Sequence, residues 1–130
     1  MLFPYHQVFQ NEYRYGNWIG PISVNSSGED VLYATVAIDG RGNAVIAWQQ
    51  TVNLIYQVFI SELRDGTWSA PTPVSTPGAA AANPLIKMDR SGNAILLWNQ
   101  VGNNDRQVFR KQYLNGGWTD RYLMALAIMD

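Results

Sequence analysis

Residues Gln57–Trp68 read QVFISELRDGTW, and the chain carries versions of this stretch three times. Gln7–Trp18 is QVFQNEYRYGNW and Gln107–Trp118 is QVFRKQYLNGGW, each fifty residues from the next without slippage. Between them a second stretch recurs at the same spacing: Asp39–Gln50, DGRGNAVIAWQQ, returns as Asp89–Gln100, DRSGNAILLWNQ. A fixed period of this size marks a repeat architecture, in which a unit buries its faces against its neighbours rather than against itself.

Each unit reads as four short strands. In Gln7–Arg14 the side chains alternate, with Gln7, Phe9, Asn11 and Tyr13 on one face and Val8, Gln10, Glu12 and Arg14 on the other. Tyr15-Gly16-Asn17, Asp65-Gly66 and Asn115-Gly116-Gly117 are hairpin turns. Trp18–Val24 and Trp68–Val74 carry prolines, which confines them to sheet edges; Trp118–Met124, their third counterpart, has none. Tyr33–Ile38 and Pro84–Met88 are the first strands, followed by the loops Asp39–Asn43 and Asp89–Asn93. Ala44–Trp48 and Ala94–Trp98 are apolar at nearly every position, as strands buried on both faces should be. Gln49–Leu54 and Asn99–Asp105 are polar connections between strands two and three. The alanines at 79–82 lie between Gly78 and Pro84, too short a space for a helix.

The expected fold class is therefore all-β: tandem four-stranded antiparallel units, with half a unit at 1–30 (strands three and four), full units at 31–79 and 80–124, and an unassigned tail at 125–130. A net charge of −1 gives no footprint for nucleic acid or an acidic membrane. The chain has no cysteine, so disulfides, thiolate metal sites and cysteine nucleophiles are excluded. MLFPYHQ lacks the pattern of a secretory signal, and no apolar run approaches the ~20 residues of a membrane span.

A four-stranded unit of this period in tandem is the blade of a β-propeller. Val36–Trp48, VAIDGRGNAVIAW, followed by QVF at Gln57–Phe59 and Asp65-Gly66, resembles the NHL-type propeller repeat. The longer period, the Trp that opens strand four and the SAP…VS pattern of Ser69–Ser75 resemble bacterial sialidase-like repeats, although Asp65–Trp68 lacks the spacing of that family's Asp-box. The resemblance implies a propeller of about two and a half blades here, against about 4–8 in a closed ring. It implies a fragment of a longer protein, or else an assembly in which further blades come from self-association. It also implies a bacterial extracellular or cell-surface setting, and a function as either a non-catalytic binding or scaffold module or part of a larger glycosidase- or lyase-type enzyme with its catalytic residues elsewhere.

The residues themselves offer little catalysis. Asp39 with Asn43 and Asp89 with Asn93 fit turn caps better than a calcium loop, since each loop supplies one carboxylate without EF-hand spacing. His6 is the sole histidine, which makes a metal site or serine triad improbable. The arginines do not recur as a cluster, no carboxylate pair suggests glycosidase chemistry, and no cofactor is implied. Trp48 and Trp98 read as core, and Trp18, Trp68 and Trp118 as inter-unit packing. The candidate ligand-binding residues lie in the amide-rich connections: Gln49, Gln50, Asn53, Asn99, Gln100, Asn103, Asn104 and Asp105. Amides both donate and accept hydrogen bonds, which suits a glycan or a protein partner.

Overall fold

The computed structural model describes residues 6–25, 29–102 and 105–124, and these contain strands and no helix. The central sheet is a meander of β5 (Val31–Ile38), β6 (Ala44–Val52), β7 (Ile55–Arg64) and a fourth strand in two pieces, β8 (Thr67–Trp68) and β9 (Thr72–Pro73), both paired with β7. The third sheet repeats it strand for strand as β10 (Ala81–Met88), β11 (Ala94–Val101), β12 (Arg106–Leu114), β13 (Gly117–Trp118) and β14 (Tyr122–Leu123). Among the described residues the first unit has strands three and four, themselves divided: β1 (Phe9–Gln10) pairs with β4 (Ile22–Ser23), and β2 (Tyr13–Arg14) pairs with β3 (Asn17–Trp18). All pairings are antiparallel, with matching register in the two full units.

Strand boundaries differ from the sequence reading. The first strands begin earlier, at Val31 and Ala81, because β5 and β10 each continue through a bulge. At the bulges Tyr33 and Asn83 take φ of 55° and 56°. The connection expected from Gln49 to Leu54 is strand as far as Val52, and only Asn53-Leu54 turns, both at positive φ. Strand β11 likewise runs through Asn99 and Gln100 to Val101. An alternating, partly polar continuation is as good a strand as an apolar one when its amides find partners.

The fourth strand breaks in all three copies, so the prolines are not the general cause. In the second unit the Ser69 hydroxyl accepts the Glu62 amide at 2.9 Å, and in the third the Thr119 hydroxyl accepts the Gln112 amide at 3.0 Å. A side chain thus takes the donor that a strand-four carbonyl would otherwise receive. In the first unit the Asn11 side chain accepts from the Gly20 amide instead, at 2.7 Å.

The three units stack as layers. Val45, Ala47, Val58, Ile60 and Val74 leave one face of the central sheet and pack against Ile86, Leu96 and Trp98 of the third sheet, with Phe109, Tyr113 and Trp118 at the margin. Ile46, Trp48 and Phe59 leave the other face and meet Val8 and Val24 of the first unit. This two-sided burial is why Ala44–Trp48 is apolar throughout. The stacked pairs Trp48–Phe59 (6.2 Å, 13°) and Trp98–Phe109 (6.1 Å, 14°) occupy the same place in successive layers. Each adds about 0.5–1.5 kcal/mol beyond area burial.

The layers also share one orientation. The Gly40 amide donates to the Arg90 carbonyl at 3.4 Å, so the strand one-to-two turns lie side by side along one rim. The strand two-to-three connections therefore lie along the opposite rim. The described sheets form an open stack that does not close on itself.

Candidate functional site

The amide-rich residues divide sharply by position. Gln49, Gln50 and Gln100 are buried strand residues, which corrects their expected place in solvated loops. Each amide is engaged within the chain. Gln50 Oε1 accepts the Trp48 indole N–H at 2.9 Å. Gln100 Oε1 accepts the Trp98 indole N–H at 3.2 Å and the Thr76 amide at 3.1 Å, while its Nε2 donates to the Thr76 hydroxyl at 3.0 Å. Gln49 Oε1 reaches into the next layer and accepts the Asn83 amide at 3.0 Å, at the β10 bulge. A buried indole N–H needs an acceptor, and a glutamine two residues along the same strand face supplies it.

The remaining candidates lie toward the rim. Asn53 is exposed in the β6–β7 turn at φ 52°, a conformation Asn tolerates better than most residues. Asn99 is half-buried and its side-chain oxygen accepts from Arg106 at 2.7 Å. Asp105 is exposed, and its carbonyl accepts the Gly102 amide at 2.6 Å. Asn103 and Asn104 lie outside the described residues. On this rim Asn99 and Arg106 are in contact, while Asn53 of the central sheet and Asp105 of the third stand exposed to solvent.

The turns on the opposite rim are self-contained. Asp39 Oδ1 accepts the amides of Arg41 (2.7 Å) and Asn43 (2.9 Å), and Oδ2 accepts the Asn43 side chain at 2.7 Å. Asp89 makes the same three bonds with Ser91 and Asn93. Burial opposes the charge on Asp39, but the Asn43 and Arg41 hydrogen bonds and the Arg64 charge prevail, holding its carboxyl below the ordinary value. Among the described residues no group of three or more His, Asp or Glu is placed to hold a metal.

A cleft that the sequence reading did not single out lies between the first unit and the central sheet. Its volume is about 700 Å³, and Phe9, Tyr13, Trp18, Val36 and Ile38 supply much of its apolar wall. It occupies the place where strands one and two of the first unit would stand. Val36 is 60% exposed there, whereas its counterpart Ile86 in the third sheet is 1% exposed beneath the central sheet. The signal was in the repeat count: three copies of strands three and four against two of strands one and two.

Side-chain hydrogen bonds cross this seam. The Trp68 indole N–H donates to Glu12 Oε1 at 2.7 Å, and Arg14 pairs with the other oxygen of Glu12. The Trp68 bond first, then the Arg14 bond, holds the Glu12 carboxyl below its ordinary value against the opposing effect of burial. At the far end, Asp30 accepts from the Tyr56 hydroxyl at 3.0 Å and lies 3.0 Å from His6 Nδ1, which ties the start of the described chain to the central sheet. No protein-family model matches the chain, and no curated protein is detectably similar to it.

Proposed function

We propose that this chain is a non-catalytic binding module of propeller type, in which stacked four-stranded blades hold a row of polar groups along one rim for a hydroxyl-rich ligand such as a glycan. The observation that carries the reading is the common orientation of the layers. The Gly40–Arg90 backbone bond aligns the strand one-to-two turns, so the strand two-to-three connections share the other rim. Asn53 and Asp105 stand there exposed, with Asn99 and Arg106 beside them. Together they present amide, carboxylate and guanidinium groups, the mix that pairs with vicinal hydroxyls.

Buried Gln49, Gln50 and Gln100 support this rim from within rather than touching a ligand. The test is a glycan array probed with the full chain, wild type and an Asn53→Gly, Asp105→Ala variant. Glycine in place of Asn53 keeps the positive φ of the turn, so the variant retains its fold. The expected result is binding to a subset of glycans that falls at least tenfold in the variant. Binding that the substitutions leave unchanged, or turnover of a glycoside, would overturn the assignment.

A further inference from the structure

The outer faces of the stack carry, on the third sheet, the rear half of a seam that the chain already forms twice and, on the first unit, the strand three-and-four part of its front half. At the internal seams the rear face of one unit meets the front face of the next. The rear face of the central sheet consists of Val45, Ala47, Val58, Ile60 and Val74, all buried. Fifty residues on, the third sheet has Ile95, Leu97, Val108, Arg110 and Met124 at these positions, none of them buried, and among the described residues no element covers them. The front face of the central sheet includes Phe59 and Trp68, packed against the first unit. The first unit has Phe9 and Trp18 at those positions, 58% and 66% exposed, with Tyr13 edge-on to Trp18 at 5.4 Å.

We propose that these faces bind each other between molecules, the rear of the third sheet of one copy seating on the front of the first unit of a second copy. The occupant is a second copy because Phe9, Tyr13 and Trp18 repeat, fifty residues apart twice over, the Phe109, Tyr113 and Trp118 that line the margin of the face the central sheet already accepts. Polar details of the internal seams transfer to the same positions. Glu12 accepts the Trp68 indole N–H at the first seam; the equivalent pair between copies is Gln112 with Trp18 of the second copy. Arg64 lies 3.8 Å over the Tyr113 ring at the second seam; the equivalent pair is Leu114 with Tyr13 of the second copy. Leu114, 41% exposed, replaces the arginine with an apolar group suited to the aromatic ring. Arg110 stands where the central sheet has Ile60, but the first unit has Gln10 there, and that seam forms nonetheless.

The contact is heterologous, so it closes into a ring or extends as a filament, according to the rotation between layers. It rests on the seam geometry and not on the glycan reading, and its test measures mass rather than ligand. Sedimentation of the full chain over a hundredfold concentration range is expected to give multiples of the 14.6 kDa chain mass. Trp18→Glu, at an exposed position, is expected to reduce the species to one chain mass with an unchanged circular dichroism spectrum. Because the sequence lacks cysteine, Tyr13→Cys and Leu114→Cys variants can be joined by a short bismaleimide. Crosslinked dimers should form in a mixture of the two and in neither variant alone. A single chain mass at every concentration overturns the proposal, as do crosslinked dimers within one variant, which would mean front-to-front or rear-to-rear contact.

Discussion

Replacing Gln100 with leucine separates a structural glutamine from a ligand-contacting one. Gln100 is 4% exposed and its Oε1 is the acceptor for two donors, the Trp98 indole N–H and the Thr76 amide. Leucine has a similar volume but no acceptor, so both donors lose their partner. An unsatisfied buried donor costs about 1–3 kcal/mol. The full cost attaches to Trp98, which is buried, and a smaller one to Thr76, which is half-buried. The apolar side chain offsets part of this by its own burial. The expected net loss is roughly 2–4 kcal/mol. With a urea dependence of about 2 kcal/mol/M for a chain of this size, the unfolding midpoint should fall by roughly 1–2 M. Tryptophan fluorescence follows the transition directly, at one fixed protein concentration so that self-association does not contribute. A double-mutant cycle with Trp98→Phe isolates the bond, since phenylalanine has no N–H to orphan. Gln100→Leu should then cost at least about 1 kcal/mol less in the Trp98→Phe background than in the native one. A change within about 0.5 kcal/mol of zero, the usual range for an exposed loop residue, would refute the argument.

Three further outcomes follow from the geometry. Leu54→Gly should raise stability by about 0.5–1 kcal/mol in urea unfolding, because Leu54 sits at φ 69° with its side chain 97% exposed and glycine adopts that conformation without strain; an unchanged or lower midpoint would contradict it. Leu96→Ala, at a fully buried position between the second and third layers, should cost about 2–5 kcal/mol by the same assay, and a cost under about 1 kcal/mol would mean that the layers are not packed there. Trp68→Phe removes the hydrogen bond that does most to lower the Glu12 pKa. A carboxylate whose folded pKa is depressed stabilises the fold above its unfolded value of 4.5, and this contribution is lost as pH falls through the folded value. The stability gap between wild type and variant should therefore be full at neutral pH and shrink below pH 4.5; a gap that stays constant from neutral pH into strong acid would count against the Glu12 link.

The repeat period made the strand order legible, because each turn announces itself locally. Asp65-Gly66 and Asn115-Gly116 are turn dipeptides whose φ values, 52° and 81°, 53° and 83°, are the ones a two-residue hairpin requires. The ends of strands were harder to read. Gln49, Gln50 and Gln100 look like loop residues because their polarity is visible in the sequence and their partners are not. The Trp48 and Trp98 indoles and the Asn83 and Thr76 amides come within reach only after the sheet has formed and the layers have stacked. The break in strand four was illegible for a similar reason. Pro21 and Pro71 are conspicuous, yet Ser69 and Thr119 hydroxyls mark the same break by taking a backbone donor. The cleft was legible only as a missing count of strands, since its walls are residues that would be core in a complete unit.

That divided fourth strand also decides in which directions the molecule can grow. An uninterrupted outermost strand offers a ruler of free amides and carbonyls on which any passing extended peptide can zip up. Here the periphery is reduced to pieces of two residues, β8 with β9 and β13 with β14, and on the other margin the bulges at Tyr33 and Asn83 throw β5 and β10 out of line. Sideways recruitment that leads to fibrous aggregates is therefore blocked at both borders of each full sheet. For the two full sheets what is left open is face-on addition, where the shape of side chains rather than the indiscriminate backbone chooses the newcomer.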